Sequence, residues 1–395
     1  MPRKIKTLLF STLYPSSVRP GHGIFVETRL RELLKGGEVE TRVVAPVPWF
    51  PCASERFGKY GKFAATPAFE HRNGIDVHHP RYFLPPKIGM NIAPHTLARG
   101  ALPTIRKLIK DGFDFDLIDA HYYYPDGVAA GFIAKLLGKP FVVTARGTDL
   151  SVIPNYPYPR RLIQQTAEAA SASIGVCKAL MDSLAECGAD KDKLKVFRNG
   201  VDLERFRPEG RTIARARLGL PETRILFSVG NLVELKGHHI AIEALQLMPA
   251  DSILIIAGSG PERGNLENLA QRLGVQARVR FAGHVANDEL KWWYSAADAL
   301  VLCSSREGWA NVLLEAMACG TPVIATNVWG TPEVVSAPEA GRLMDSRSPE
   351  GLVHAAAALF ANYPQPELVR QYAEKFDWRE TSMAQAALFS RICNA

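Results

Sequence analysis

Short apolar segments alternate along the chain with longer segments in which apolar residues recur every three or four positions. The short segments have the length of strands buried on both faces, and the longer ones have the period of amphipathic helices. The predicted strands are residues 7–13, 41–45, 116–120, 141–145, 172–176, 194–197, 224–229, 252–257, 278–282, 298–302 and 322–325. The clearest predicted helices are residues 25–35, 160–170 and 238–247.

This alternation predicts an α/β protein built from doubly wound parallel sheets. There are too many strands for one such sheet, and the pattern restarts after the polar, turn-rich segment 198–211. We therefore predict two Rossmann-like domains that face each other across a cleft, at residues 1–205 and 206–375. Residues 376–395 are expected to form a helix that packs back on the first domain.

Composition narrows the class of protein but does not choose a ligand. The 395 residues are 47% hydrophobic and 22% charged, which is typical of a globular protein with two domains. The net charge of +7 fits an anionic substrate, a nucleic acid or an acidic membrane surface. Nucleic acid is not expected as a partner, because the basic residues are not interleaved with aromatic ones as a binding surface requires.

The cysteines and the N-terminus indicate a cytoplasmic protein. The six cysteines are scattered and form no C-x-x-C pair, so reduced thiols are expected and a zinc site is not. The N-terminal apolar run is too short for a signal peptide, and no run elsewhere is long enough to span a bilayer.

Ligands of open α/β sheets bind beyond the carboxyl ends of the strands, so the loops after strands are the candidate sites. In the loop 230–239, Gly230 permits close approach of a ligand, and Lys236 stands at a helix entrance where phosphate could bind. A solvent-exposed lysine before an ordinary helix is the alternative, and from this loop alone it is the more common case.

The loop G-S-G-P-E-R-G at 258–264 imitates a dinucleotide-binding fingerprint. That fingerprint needs an acidic residue at the end of the next strand, and strand 278–282 instead runs into Gly283 and His284. Nicotinamide binding is therefore not expected, and Pro261 at the first helical position explains much of the motif.

The third loop leads into the segment R-E-G-W-A-N-V-L-L-E-A-M-A-C-G-T-P at 306–322. Between residues 310 and 324 its only charged side chain is Glu315, which is costly to bury without a partner. A carboxylate accepts hydrogen bonds only, so it suits a pair of hydroxyls such as a ribose diol. A buried salt bridge would satisfy Glu315 equally well, and spacing alone favours that alternative.

Taken together, these segments resemble the retaining glycosyltransferases of family 4, which have the GT-B fold. Their E-x7-E motif is matched by Glu307 and Glu315, followed by A-M-A-C-G-T-P-V. The resemblance covers essentially the whole chain, and its N-terminal part is similar to polysaccharide-building members of the teichuronic-acid type. The other matching segments are 14–27, 120–130, 143–150, 197–206, 229–238, 257–262 and 329–335.

The resemblance implies roles for individual residues. Glu315 would hold the ribose of a nucleotide sugar such as a UDP-sugar, Glu307 would contact the donor sugar, and Lys236 would bind the diphosphate. The remaining donor-site candidates are Gly230, Asn231, Gly258, Gly260, His284, Val285, Gly308, Trp309, Asn311 and Val312. The candidates for the acceptor side or the cleft are Gly21, His22, Gly23, His121 and Asp149. No metal and no cofactor are expected, because protein groups supply the positive field in this fold.

The chain departs from the family pattern at two positions. Many members have G-R-L where this chain has Gly230-Asn231-Leu232, and many have H-G-x-D where it has Arg146-Gly147-Thr148-Asp149. Asn231 donates only neutral hydrogen bonds. We therefore hypothesise that Arg146 is catalytic and supplies, from the facing domain, the positive charge missing at Asn231.

Two other patterns are given less weight. Asp114-Phe115-Asp116 spells D-x-D, a metal motif of another glycosyltransferase fold, but it precedes a strand and is interpreted as a turn. A basic face for anionic lipid is conceivable, although a solvated helix face is the commoner explanation. Its members would be Arg56, Lys59, Lys62, Arg99, Arg106, Lys107 and Lys110.

The sequence thus predicts a metal-independent, retaining glycosyltransferase. It would use a nucleotide sugar and a glycan or lipid-linked acceptor, in the cytoplasm or at the inner face of the plasma membrane. The alternatives are another GT-B activity, either a nucleotide-sugar epimerase or a phosphorylase, and a donor-binding protein without activity.

Overall fold

A computed structural model describes residues 3–85 and 89–394. The chain forms two compact units, Met1–Arg198 with Arg379–Ala395, and Asn199–Trp378. The sequence placed the first division at residue 205. The structure places it at residue 198, because residues 199–205 pack with the second unit. For example, the Val201 amide donates a hydrogen bond of 3.0 Å to Phe376 O.

The strands of the N-terminal unit are mostly short, apolar and parallel. Their order in the main sheet is β10-β9-β8-β7-β1-β2-β5-β4, and β3 pairs with β6 alongside it. Only β4 runs antiparallel, to β5. The bounds are β1 Ile5–Phe10, β2 Val39–Val44, β3 Val47–Pro48, β4 Phe69–Arg72, β5 Ile75–His78, β6 Arg81–Tyr82, β7 Leu117–His121, β8 Phe141–Ala145, β9 Ala172–Gly175 and β10 Leu194–Val196.

The C-terminal unit has one parallel sheet in the order β13-β12-β11-β14-β15-β16. The reversal of order at β11 and β14 is the topological switch point at which open α/β sheets bind ligands. The bounds are β11 Ile225–Val229, β12 Ile253–Ala257, β13 Val279–Gly283, β14 Ala299–Leu302, β15 Val323–Thr326 and β16 Gly341–Met344.

Helices separate most of the strands in both units. In the N-terminal unit they are α1 Ile24–Lys35, α2 Lys59–Ala65, α3 Gly89–Lys110, α4 Val128–Leu137, α5 Thr148–Ser151, α6 Pro157–Ala169 and α7 Lys178–Glu186. In the C-terminal unit they are α8 Arg211–Leu218, α9 His238–Ala244, α10 Arg263–Arg272, α11 Leu290–Ala296, α12 Asn311–Ala318, α13 Thr331–Val334, α14 Pro349–Ala361 and α15 Pro366–Glu374. The last helix is α16, Trp378–Cys393.

The predicted strands all appear, to within three residues at each end. Most are apolar runs buried on both faces, whereas β2, β10 and β13 also carry charged residues and are only partly buried. The sequence prediction missed five short strands, β3 to β6 and β16. The β4–β5 hairpin could have been found from Asn73-Gly74, whose φ angles of 48° and 78° are those of a two-residue hairpin turn. Its strands carry mostly polar residues, which hid them from an apolar pattern.

The last helix, α16, belongs to the N-terminal unit along most of its length. Ala386, Leu388 and Phe389 pack into the cluster that contains Leu117 and Val142 of the central strands. In the C-terminal unit the corresponding core covers one face of the sheet and includes residues of α9 and α14. Within the described ranges, no helix is both long and apolar enough to cross a membrane.

Candidate functional site

The loop after β11 places Gly230 against the side chain of Lys236. The φ angle of Gly230 is 154°, and a Cβ atom there would lie 3.6 Å from the Lys236 side chain. Gly237 follows with φ 68° and begins α9, and a Cβ atom at Gly237 would lie 2.1 Å from Cys303 O. Glycine is needed at 237 because the loop after β14 passes directly beside it.

The glycines of the 258–264 loop are explained by packing. A Cβ atom at Gly258 would lie 1.8 Å from Gly230 O, and one at Gly260 would lie 2.3 Å from Leu232 O. The loops after β11 and β12 are thus in backbone contact. Packing therefore accounts for the G-x-G pattern. The expectation that Pro261 stands at the first helical position is wrong, because α10 begins at Arg263.

Lys236 and Glu307 form an ion pair between two strand-end loops of the C-terminal unit. Lys236 Nζ lies 2.6 Å from Glu307 Oε1, and Ser304 Oγ donates to the same oxygen at 2.6 Å. The two charged side chains are 24% and 10% exposed. β11 and β14 are the strands on either side of the switch point. The loops that follow them bring together Lys236 and Glu307, two of the three residues predicted from sequence to be catalytic.

Glu315 lies in the second turn of α12 and is partly buried. Its Oε2 atom accepts a hydrogen bond of 2.7 Å from the hydroxyl of Tyr294 on α11. Burial raises the pKa of the Glu315 carboxyl to about 7, although the Tyr294 hydroxyl and the positive charge of Arg205 both oppose the shift. The salt bridge considered from sequence is not what pairs Glu315, because its hydrogen-bond partner is a neutral hydroxyl.

The other donor-site candidates lie on the loops after β11, β13 and β14 or at the start of α12, all in the C-terminal unit. Asn231 and His284 are exposed, while Val285, Gly308 and Val312 are partly buried. Asn311 begins α12 and accepts a hydrogen bond of 3.3 Å from Asn199 Nδ2. Trp309 is buried against Phe376, and in the described part of the chain its indole N–H has no hydrogen-bond partner.

The N-terminal candidates at 21–23 begin α1. Gly23 has a φ angle of 70° and lies so close to the Leu13 backbone that a Cβ atom would be 2.3 Å from Leu13 C. His22 Nε2 lies 3.0 Å from Thr12 O, and burial lowers the pKa of this imidazole. Gly21 is exposed, with open space around it.

Arg146 is held at the end of β8 by His121 at the end of the neighbouring strand β7. An Nη2 atom of Arg146 donates to His121 Nδ1, and the guanidinium lies 5.5 Å from the centroid of the Phe25 ring. His121 Nε2 lies 3.2 Å from Asp119 Oδ2. Burial lowers the pKa of His121 to about 4, so the ring is neutral, with its proton on Nε2 facing Asp119.

The same network extends from Asp119 to the last helix. Gln385 Nε2 donates to Asp119 Oδ2 at 3.2 Å, and Gln385 Oε1 accepts from Arg29 Nε at 2.8 Å. Gln385 and Arg29 are both 1% exposed. No local pattern in the sequence indicated Gln385, because it lies more than 250 residues from Asp119 along the chain.

Asp149 shapes the loop that carries Arg146. It is fully buried and accepts backbone hydrogen bonds from Tyr123 and Gly147, each at 2.7 Å, and from Arg146 at 3.1 Å. Burial raises the pKa of this carboxyl, and the hydrogen bonds oppose the shift.

The D-x-D residues lie before β7, at the amino end of that strand. Asp114 pairs with Lys139 at 2.7 Å, and Asp116 pairs with Arg3 at 2.7 Å. In the ranges 3–85 and 89–394, no cluster of histidine, cysteine or carboxylate side chains has the arrangement of a metal site. The D-x-D segment is therefore a helix-to-strand connection with its carboxylates in surface ion pairs.

Two family models match the chain, one for each unit. The model described as "Glycosyltransferase Family 4" matches residues 21–205, and that described as "Glycosyl transferases group 1" matches residues 210–376. The chain is 32% identical over 333 residues to TuaC of Bacillus subtilis (strain 168), a glycosyltransferase assigned to teichuronic acid biosynthesis. That match covers 82% of each chain.

Solved structures match the fold over nearly the full length. Sucrose-phosphate synthase from Thermosynechococcus elongatus aligns with a TM-score of 0.79 and 20% identity, covering 98% of this chain and 99% of that one. Anabaena Alr3699/HepE in complex with UDP-glucose aligns with a TM-score of 0.71 and 20% identity, covering 98% of each chain. On these matches and on its two parallel-sheet units, the chain belongs to the GT-B glycosyltransferases of group 1 and family 4.

Proposed function

We propose that the protein is a retaining, metal-independent glycosyltransferase that moves a sugar from a nucleotide-sugar donor to a hydroxyl group of a glycan or lipid-linked acceptor. The observation that carries the proposal is the ion pair between Lys236 and Glu307, built by the loops at the switch point of the C-terminal sheet. A similar protein from Anabaena was solved with UDP-glucose, which supports a donor of this chemical class.

Breaking a sugar–phosphate bond leaves negative charge on the nucleoside diphosphate. Fixed positive groups near that charge stabilise the transition state. Lys236 supplies a full positive charge, and the N-terminus of α12 supplies the partial positive charge of the helix dipole. Glu307, which also accepts from the Ser304 hydroxyl, holds the lysine side chain in one place, so less ordering is needed when substrate binds.

The two carboxylates of the motif have distinct proposed roles. Glu307 uses one oxygen for Lys236 and Ser304, and its other oxygen would accept from a hydroxyl of the donor sugar. Glu315 uses Oε2 for Tyr294, and Oε1 would accept from the ribose. The indole N–H of Trp309 is a further donor for the ligand, because leaving a buried donor unpaired is costly.

The proposed biological setting is the synthesis of a surface polysaccharide. It rests on the similarity to TuaC, which is assigned to teichuronic acid biosynthesis. We propose that the protein works in the cytoplasm and approaches the inner face of the plasma membrane when its acceptor is lipid-linked. The exposed basic residues of α3, including Arg99, Arg106 and Lys110, would favour an anionic membrane surface.

A thermal-shift screen against UDP, GDP and ADP sugars identifies the donor. A ligand at 100 times its dissociation constant stabilises a protein by about 2.7 kcal/mol, which is readily detected. The sugar that gives the largest shift is then incubated with an acceptor, and NMR reports the anomeric configuration of the product. Retention, with activity unchanged by EDTA, is the expected result; an inverted product or metal-rescuable loss in EDTA would contradict the proposal.

The same assay separates the rival activities. An epimerase would convert the donor with no acceptor present, and a phosphorylase would depend on orthophosphate. A protein that binds the donor without turning it over would show the thermal shift alone.

A further inference from the structure

An aromatic-lined cavity of about 860 Å³ lies in the N-terminal unit, apart from the residues described above. Its walls come mainly from the segment between β3 and α3, whose strands the sequence prediction missed. Trp49 and Phe83 line it and are 56% and 60% exposed, so they form its rim. Exposed aromatic side chains around a concave site are typical of ligand binding rather than of core packing.

The inner end of the cavity reaches the carboxyl edge of the N-terminal sheet. Thr12 follows β1 and Tyr122 follows β7, and both line the cavity. Thr12 is held in place by Asp126, which accepts its amide at 2.8 Å and its hydroxyl at 3.0 Å. The cavity therefore connects the aromatic rim to the strand ends from which His22 and His121 also project.

The surface of the walls is mostly apolar, although several tyrosine hydroxyls and the ammonium group of Lys59 belong to residues that line it. Tyr124 donates its hydroxyl to Met90 O at 2.5 Å, so this tyrosine presents mainly its ring to the cavity. Met90, Ala93 and Phe63 add further apolar surface. A free sugar would need hydrogen-bond partners on several sides, whereas an acyl or prenyl chain needs only apolar contact.

Two arginines that form no ion pair within the described residues lie beside residues of the cavity wall, although they do not line the cavity themselves. The Arg19 guanidinium is 5.1 Å from the centroid of the Phe63 ring, and Arg81 directly precedes Tyr82, which also lines the cavity. Burial lowers the pKa of Arg19, and the positive charge of Arg81 adds to the shift. Among the described residues, Arg19 Nε and Arg81 Nη1 are buried without a hydrogen-bond partner.

Arg81 Nη2 donates to Ala64 O and Thr66 O, but two neighbouring positive charges and two buried donors without acceptors still disfavour this arrangement unless an anion binds there. A phosphate group accepts hydrogen bonds from several guanidinium nitrogens at once. We propose that the cavity binds the apolar chain of a lipid-linked acceptor and that Arg19 and Arg81 bind the phosphate at the head of that chain. This inference rests on the proposed function and specifies its acceptor as a prenyl or acyl phosphate.

The test measures the binding of farnesyl monophosphate to the protein by tryptophan fluorescence and by calorimetry. The ligand is kept below its critical micelle concentration. Trp49 at the rim should report entry of the chain. Farnesyl monophosphate should bind saturably and at least tenfold more tightly than farnesol, while inorganic phosphate should not bind at millimolar concentration. If farnesyl monophosphate and farnesol bind equally tightly, the proposed phosphate site is wrong. If neither ligand binds, the whole proposal is wrong.

Two variants test separately where the phosphate group and the apolar chain of the ligand bind. Arg19→Gln should weaken the binding of farnesyl monophosphate about tenfold and leave the binding of farnesol unchanged. Arg106→Gln, on the exposed face of α3, is the matched control. Phe83→Ala should weaken both ligands, with Leu136→Ala, 58% exposed in the same unit, as its control. Loss of binding in Arg106→Gln but not in Arg19→Gln would show a general basic surface instead.

Binding of UDP is measured on the same preparation. If UDP binds and farnesyl monophosphate does not, the acceptor inference is wrong and the proposed function stands. If neither binds, the proposed function is also in doubt.

Discussion

The hydroxyl of Tyr294 donates a hydrogen bond of 2.7 Å to Glu315 Oε2, joining α11 to α12. This contact explains how a helix of leucine, alanine and methionine keeps a carboxylate. The partner is neutral, so the negative charge of Glu315 is not compensated as a salt bridge would compensate it, and its pKa stays near 7. A group that is so costly to ionise is expected to serve a ligand rather than stability.

Replacing Glu315 tests its role in binding the nucleotide. Glu315→Ala should weaken the binding of UDP, or of whichever nucleoside diphosphate the screen selects, by about 1.5–3 kcal/mol, the range for a hydrogen bond to a charged group. Calorimetric titration measures the change. Glu267→Ala on α10, with a side chain 44% exposed, is the control. Unchanged affinity in a folded Glu315→Ala protein would make Glu315 a structural residue.

The raised pKa of Glu315 also predicts how stability depends on pH. In the folded protein this carboxyl holds its proton up to about pH 7, whereas in the unfolded chain it loses the proton near pH 4.3. The cost of the buried charge therefore appears as pH rises between these values and is complete above the folded pKa. Glu315→Gln should raise the melting temperature at pH 8, by roughly 2–4 °C for each kcal/mol, and the gain should disappear near pH 4.

Scanning calorimetry at a series of pH values measures this difference. An equal gain at pH 4 and pH 8 would show that the amide stabilises the protein by packing, and that the ionisation of Glu315 has no part in it.

Lys236→Ala should lower turnover more than donor affinity. The charge on the leaving diphosphate is largest in the transition state, so the lysine stabilises the transition state more than the bound donor. Steady-state kinetics give kcat and kcat/KM, and titration gives the donor affinity. Lys236→Arg retains the charge and should recover part of the rate. If donor binding weakens while kcat stays unchanged, Lys236 only holds the donor in the ground state and does not stabilise the transition state.

Arg146 and Asn231 are predicted to be coupled in function. Arg146→His removes the donor to His121 Nδ1 and should be strongly damaging. Adding Asn231→Arg restores the common family pair and should recover part of the activity. Residues that share a partner show coupling energies of about 0.5–3 kcal/mol, whereas independent sites add within roughly 0.5 kcal/mol. Additive effects of the two substitutions on kcat/KM would contradict a shared role.

Gln385→Leu tests the buried network that ties α16 to the strands of the N-terminal unit. The substitution leaves both Arg29 Nε and Asp119 Oδ2 without their Gln385 contacts at almost fully buried positions. Asp119 Oδ2 keeps its contact with His121 Nε2, but the unsatisfied Arg29 Nε costs about 1–3 kcal/mol, so the melting temperature should fall clearly. Gln165→Leu, exposed on α6 in the same unit, should have little effect. A Gln385→Leu protein as stable as the parent would show that the network adds nothing net.

The sequence by itself determined the class of fold and the place of the donor-site loops. Strands buried on both faces leave long apolar runs, and loops after strands can be located once the strands are known. It therefore indicated Lys236, Glu307 and Glu315 correctly as members of strand-end loops or of the helix that follows one. The polar strands of the β4–β5 hairpin left no such run, and only the Asn73-Gly74 turn marked them.

Only the tertiary structure decided which side chains meet. The partners of Glu315 and Asp119 are Tyr294 and Gln385, which lie 21 and 266 residues away along the chain. The aromatic cavity likewise combines residues from Thr12 to Ile153. Hydrophobic periodicity records the face that a residue buries, but it does not record which distant residue is packed against that face. Hydrogen bonds and cavities depend on that packing, and so they appear only when the chain is folded.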